Sequence, residues 1–126
     1  MYHILFVAVG GACGAVMRHL CNLAALRMFG PGFPWGTLFV NVLGSLLMGL
    51  LVGWLVRRTG GNTNELRLLL ATGFLGGFTT FSAFSLDFVA LWRDGPPAIA
   101  ISYAVASVVI SLLAIFTGLW LIRIAA

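Results

Sequence analysis

Thr72-Gly73-Phe74-Leu75-Gly76-Gly77-Phe78-Thr79-Thr80-Phe81-Ser82-Ala83-Phe84-Ser85 decides the fold. It lies midway along an apolar run from Leu66 to Trp92. One helical crossing of a bilayer takes about 20 apolar residues, so the run is long enough to span a membrane. Adjacent glycines followed by two β-branched threonines nevertheless make a poor continuous helix. The run therefore reads as a membrane span broken near its middle, around Gly76-Gly77. Irregular backbone at that depth is tolerated only where it is buried in protein or lines a cavity. Carbonyls freed there suit a small hard cation, which prefers oxygen ligands.

The same apolar signal recurs on both sides. Spans are expected at about residues 3–26, 35–56, 66–92 and 98–122. The 126 residues are 61% hydrophobic and only 8% charged, with a mean hydropathy of +1.09. A soluble domain averages about 25% charged residues, so a water-soluble globule is excluded. Four spans consume about 80 residues, which leaves short connections and no room for a soluble catalytic domain. Residues 1–126 read as one all-α membrane domain of four transmembrane helices. The first run lacks a basic leader and is followed by further spans, so it reads as a retained span and not a cleaved signal.

The connections carry the charge. Gly30-Pro31-Gly32-Phe33-Pro34 cannot stay helical, residues 59–64 form a polar turn around Gly60-Gly61, and Arg93-Asp94-Gly95-Pro96-Pro97 separates the last two spans. Trp35, Trp54, Trp92 and Trp120 fall at span ends, where indole favours the membrane interface. The seven basic residues are all arginine. They lie singly or as the pair Arg57-Arg58, which suits topology determinants and not a nucleic-acid surface. With an even number of spans, Arg57, Arg58, Arg67 and Arg123 share one side with the termini, and Arg27 and Arg93 lie on the other. That bias favours cytoplasmic termini only weakly, as suits insertion in both orientations. Cys13 and Cys21 are about 12 Å apart on a straight helix, too far for a disulfide, and read as small apolar residues.

Polar residues inside the spans mark the candidate site. Thr37, Asn41 and Ser45 recur every fourth residue on one face of the second span, and Tyr103, Ser107 and Ser111 do so on the fourth. Asn41 is either an interhelical tether or part of a polar path. The tyrosine and two serines read as the wall of such a path. Phe81 and Phe84 share a face after the break, and the electropositive edge of a phenyl ring can meet an anion without a fixed charge. Arg18, inside the first span, either snorkels outward or draws anions into a vestibule. Asp87 pairs with Arg18 or with Arg93. Gly10/Gly14, Gly49/Gly53 and Gly73/Gly77 permit close helix contact. In so short a chain they favour a homo-oligomer.

These residues resemble those of the small fluoride channels known as Fluc or CrcB. The resemblance covers essentially the whole chain and rests on Gly10-Gly11-Ala12-Cys13-Gly14 with Arg18, on Gly36-Thr37-Leu38-Phe39-Val40-Asn41, and above all on Gly73 to Ser85. Ala83 stands where many relatives carry threonine or serine, and Asp87 where relatives often have glutamate. The resemblance implies an antiparallel, dual-topology homodimer in the bacterial plasma (inner) membrane, exporting fluoride passively along two paths. It implies a fluoride pathway past Asn41, Phe81 and Phe84 with a polar track of Thr37, Tyr103, Ser107 and Ser111, and Arg18 at the vestibule. It also implies a structural sodium ion on the dimer axis, held by the main-chain carbonyls of Gly76 and Thr79. The partners so implied are a second copy, fluoride and the lipid bilayer, with no nucleic acid.

The nearest competing class is a proton-coupled small multidrug-type transporter, which needs a membrane-embedded carboxylate. The first, second and fourth spans contain no acidic residue. A non-transporting scaffold leaves Asn41 and the broken span without a purpose. An enzyme is not expected, because no nucleophile–base pair is present and His3 and His19 lack clustered partners.

Overall fold

The structure is a computed structural model that describes residues 1–58, 61 and 63–125. Helix α1 (Tyr2–Phe29) ends where Gly30 takes φ +76° and returns its amide to the Leu26 carbonyl at 2.9 Å. Glycine reaches that left-handed conformation without steric cost, and Pro31 and Pro34 prevent resumption before α2 (Trp35–Arg57). Of the polar turn expected at residues 59–64, Thr59, Gly60 and Asn62 lie outside the described residues.

The third stretch is segmented. It begins as α3 (Thr63–Leu66), widens into a π-helix (Arg67–Leu75, here π1) and returns to α geometry in α4 (Gly76–Phe78). Thr79 (φ −81°, ψ 158°) and Thr80 (φ −153°, ψ 121°) are extended. Helix α5 (Phe81–Asp94) follows, and α6 (Pro97–Ile124), with proline at its first turn, completes the chain. The interruption thus falls at the threonines and not at the glycines expected to cause it. Gly76 is helical at φ −63°, ψ −37°.

The glycines have a different task. A Cβ on Gly10 would collide with the Leu69 carbonyl, one on Gly14 with the Phe74 carbonyl, and one on Gly77 with the Gly11 carbonyl. Bare backbones of α1 and of residues 69–77 therefore lie against each other, a contact that any side chain would wedge apart. Gly49 and Gly118 play the same part where α2 meets α6. Gly53 packs beside Ile122, within the same chain. All three small-residue pairs are engaged in intrachain packing, so they no longer argue for a homo-oligomer.

Among the described residues, four helical stretches are long and apolar enough to cross a membrane: Tyr2–Phe29, Trp35–Arg57, Thr63–Asp94 and Pro97–Ile124. Each extends slightly past the span read from hydropathy. The buried core is small, built around Val40, Leu75, Phe78, Ala100 and Tyr103. Most other large apolar side chains face outward. Such an exterior would aggregate in water but is well solvated by lipid.

Candidate functional site

The interruption at Thr79-Thr80 leaves the Thr80 amide and the Thr79 carbonyl without helical partners, and neighbouring side chains take them up. Asn41 on α2 donates from Nδ2 to the Thr80 carbonyl at 2.9 Å, and its Oδ1 accepts from the Thr80 amide at 2.7 Å. Thr80 Oγ1 accepts from the Ala83 amide at 3.2 Å and so caps α5. A hydroxyl in that position satisfies one of the four unpaired amides that open every helix. The Thr79 hydroxyl and amide both donate to the Leu75 carbonyl, at 2.9 and 3.0 Å. Arg18 on α1 reaches the Thr79 carbonyl with Nη1 at 3.5 Å.

A helix end leaves its last carbonyls without helical partners, and that of Gly76 is among them here. In a continuous helix the Thr80 amide would bond the Gly76 carbonyl four residues back, but here it has turned to Asn41. Gly76 is exposed, so its freed carbonyl and that of Thr79 both lie at the interruption. Neutral oxygen donors of this kind suit a hard monovalent cation. The pair from one chain is too few to enclose it.

Beside the interruption runs an open cleft of about 310 Å³. Asn41, Phe81, Phe84, Ser107 and Ser111 line it together with Ser45, Met48 and Thr79. Five residues of the expected pathway thus meet in one place, supplied by α2, α5 and α6. The Ser107 and Ser111 hydroxyls are buried and make no hydrogen bond within 3.5 Å, Ser107 lying near the Tyr103 hydroxyl. A buried hydroxyl without a partner costs about 1–3 kcal/mol, so two of them on one wall are expected to serve something that occupies the cleft. The rings of Phe81 and Phe84 lie 5.5 Å apart and tilted by 43°. Phe84 is half-buried, whereas Phe81 is 77% exposed. The cleft is open along one side.

The other residues sit around it. Tyr103 is buried, packs its ring 5.3 Å from Phe84 and 5.4 Å edge-on from Phe33, and donates its hydroxyl to Asp87 Oδ2 at 3.1 Å. Asp87 is therefore bonded by Tyr103, neither by Arg18 nor by Arg93, and Arg93 instead pairs with Asp94 at 3.5 Å. Thr37 and Asp87 line a larger recess of about 670 Å³, which opens between the Gly30–Pro34 loop and α5. Tyr103 links the wall of this recess to the cleft. Arg18 lies at the interruption and does not line the recess. Met48 and the backbone of Thr80 were not singled out from sequence. Thr80 carries a signal, a hydroxyl just before Phe81 at a helix start, whereas Met48 gives none, being apolar in an apolar span.

Comparison with known proteins converges on one family. Residues 5–119 match the family described as "CrcB-like protein, Camphor Resistance (CrcB)". The chain is 54% identical over 123 residues to a protein of Mesorhizobium japonicum named fluoride-specific ion channel FluC, covering 98% of each chain. It is 59% identical over 123 residues to a protein of the same name from Chelativorans sp., again 98% of both, and 53% identical to one from Rhizobium meliloti.

Proposed function

The chain belongs to the CrcB family, and we propose that it is a fluoride-selective channel whose paths are completed by a second, antiparallel copy. It is a multi-pass membrane protein and an ion channel, not an enzyme. Hydrogen fluoride crosses membranes as a neutral acid and dissociates inside the cell. The trapped anion then needs a passive route out, and this protein supplies it from the bacterial inner membrane.

The cleft beside Thr79-Thr80 carries the mechanistic reading. Fluoride is small and strongly hydrated, so a narrow site admits it only by replacing its water with directed donors. Ser107 and Ser111 have hydroxyls that make no hydrogen bond within 3.5 Å. Asn41 uses one amide hydrogen on Thr80 and retains the other. Phe81 and Phe84 offer ring edges. No lysine or arginine lines the cleft, so an anion is not held too tightly to leave. Thr37 and Tyr103 extend the polar track toward the larger recess, and Arg18 contributes positive charge at the neighbouring Thr79 carbonyl.

A second copy supplies the missing wall. Facing lipid, the freed Gly76 carbonyl and the open mouth of a cleft with polar walls would be costly. Against another copy they are enclosed, and Phe81, which projects from its own chain, completes the neighbouring cleft. The weak arginine bias permits opposite insertion of the two copies. The interruption then lies at mid-membrane depth, and the main-chain carbonyls of Gly76 and Thr79 from each copy would hold a structural sodium ion. Its positive charge offsets the partial negative charge of carbonyls brought together at the dimer axis.

Liposomes loaded with fluoride and reconstituted with the purified protein test this reading. Fluoride should leave faster than chloride by orders of magnitude, without any proton gradient. Equal chloride efflux, or flux that stops when the proton gradient is abolished, would overturn it; the latter result belongs to a small multidrug-type transporter.

A further inference from the structure

The end of the bundle where α2 and α6 terminate has a feature that ion conduction does not use. Arg57 donates from Nη2 to the main-chain carbonyl of Arg123 at 3.0 Å, which brings two arginines to one place. Arg58 follows in the chain, its guanidinium stacked over the Trp54 ring at 4.3 Å. None of the three has a carboxylate within 4.0 Å among the described residues, whose one ion pair is Arg93–Asp94 at the opposite end.

Helix ends account for part of this charge. A helix C-terminus behaves as about half a negative charge, so two such ends offset roughly one of three arginines. The remainder is uncompensated, and the three are exposed. Immediately toward the membrane centre the same helices turn apolar side chains outward. Val56 is 78% exposed on α2, and Trp120 57% and Leu121 38% on α6. Positive charge, an interfacial indole and an adjoining apolar surface match a ligand that is anionic at one end and hydrocarbon at the other.

We propose that Arg57, Arg58 and Arg123 form a headgroup site for an anionic phospholipid. Its phosphodiester is held between the α2 and α6 termini, and its acyl chains lie along Val56 and Leu121. Basic residues at the membrane surface attract anionic headgroups by about fivefold in affinity each. The placement between two helix ends adds directed donors, because Arg57 is anchored and Arg58 is held flat on Trp54. The lipid is the favoured occupant over free phosphate because the flanking side chains are apolar. The site requires no fluoride movement and does not rest on the channel reading.

Native mass spectrometry of the purified protein in mild detergent tests it. With phosphatidylglycerol or phosphatidylcholine added at equal concentration, the wild type should retain phosphatidylglycerol preferentially. Arg57→Gln with Arg123→Gln should weaken that retention about thirtyfold. The side-chain amide introduced at position 57 can still donate to the main-chain carbonyl at position 123 and so preserve the helix contact. Arg58→Gln alone should weaken retention about fivefold. Arg93→Gln, at the opposite end, should change nothing. Equal retention of both lipids, retention unaffected in the double variant, or displacement by millimolar inorganic phosphate would each overturn the proposal. Circular dichroism verifies that the variants compared are folded, and fluoride efflux in pure phosphatidylcholine should be the same for wild type and Arg58→Gln.

Discussion

The side-chain amide of Asn41 holds the backbone of Thr80 from both directions, donating to its carbonyl at 2.9 Å and accepting from its amide at 2.7 Å. The pairing has the form of one rung of an antiparallel ladder, made by a side chain in place of a strand. It explains how two extended residues persist inside a helical stretch. The interruption takes only the Thr80 amide from its helical partner, and the Asn41 side-chain oxygen replaces that partner. The Thr80 carbonyl opens α5 and gains a second donor in the Asn41 N–H. It also divides the labour of Asn41. A residue read from sequence as either tether or pathway is a tether through one N–H and one oxygen, and the second N–H remains for the cleft.

Asn41→Ala should therefore fail in two assays together. Leaving the Thr80 amide unpaired costs about 1–3 kcal/mol, which should appear as a lower melting temperature in detergent. Fluoride efflux should fall by roughly tenfold or more. Asn41→Asp keeps the acceptor for the Thr80 amide but, when ionised, sets a negative charge against the Thr80 carbonyl and the anion path. A melting temperature unchanged in Asn41→Ala would show that the two bonds carry no structural load.

Ser107 and Ser111 should behave in the opposite way. Their hydroxyls make no hydrogen bond within 3.5 Å, so Ser107→Ala and Ser111→Ala remove an unsatisfied group and should leave the melting temperature equal or slightly higher. Fluoride efflux should nevertheless drop severalfold in each and further in the double variant. A fall in stability with flux intact would mark the hydroxyls as structural.

At Phe81 and Phe84 the variable is aromaticity. Ile keeps a hydrophobic side chain without the electropositive ring edge. Phe81 is largely exposed in its own chain, so Phe81→Ile costs little packing there and isolates the edge effect best. Efflux should fall by roughly tenfold or more in Phe81→Ile and Phe84→Ile while dimers still form on crosslinking. Leu113→Ile, on the outward face of α6, should be nearly neutral. Flux at the level of that control would reduce the phenylalanines to packing.

Sodium removal tests the proposed ion site at Gly76 and Thr79. Replacing sodium throughout purification by the bulky N-methylglucamine cation should lower the melting temperature of the dimer and its fluoride flux, and returning sodium should restore both. A ligand bound only by the folded dimer stabilises it in proportion to the logarithm of its concentration. Identical melting with and without sodium would leave the Gly76 and Thr79 carbonyls to another partner.

Much of the site was legible in the sequence because its polar residues stand out against an apolar background. In a lipid-facing chain a four-residue repeat such as Thr37-Asn41-Ser45 has few innocent explanations, and Asn41, Ser107 and Ser111 do share one cleft. The partner of Asp87 was not legible. Arginines 18 and 93 were candidates by charge, whereas Tyr103 reaches it from another helix, sixteen positions along the chain. The glycines misled in a specific way. Gly76-Gly77 has poor helix propensity, yet propensity is a weak preference of about 1 kcal/mol per glycine, and close packing of Gly77 on Gly11 keeps the segment helical.

Hydropathy alone determined the class of this protein: four apolar stretches in 126 residues leave no architecture but a small helical membrane domain, because lipid cannot satisfy an open backbone. Only the tertiary structure decided where the third span breaks and what the break exposes. The nine residues from Arg67 to Leu75 wind as a π-helix, which shifts every later side chain from the face that a regular helix would assign. The interruption then settles at Thr79-Thr80 because Asn41, on a different helix, accepts from the one amide left without a helical partner and donates to the neighbouring carbonyl. Local sequence carries the preference of each residue for a conformation, but the partner that makes an irregular one affordable comes from thirty-nine residues away.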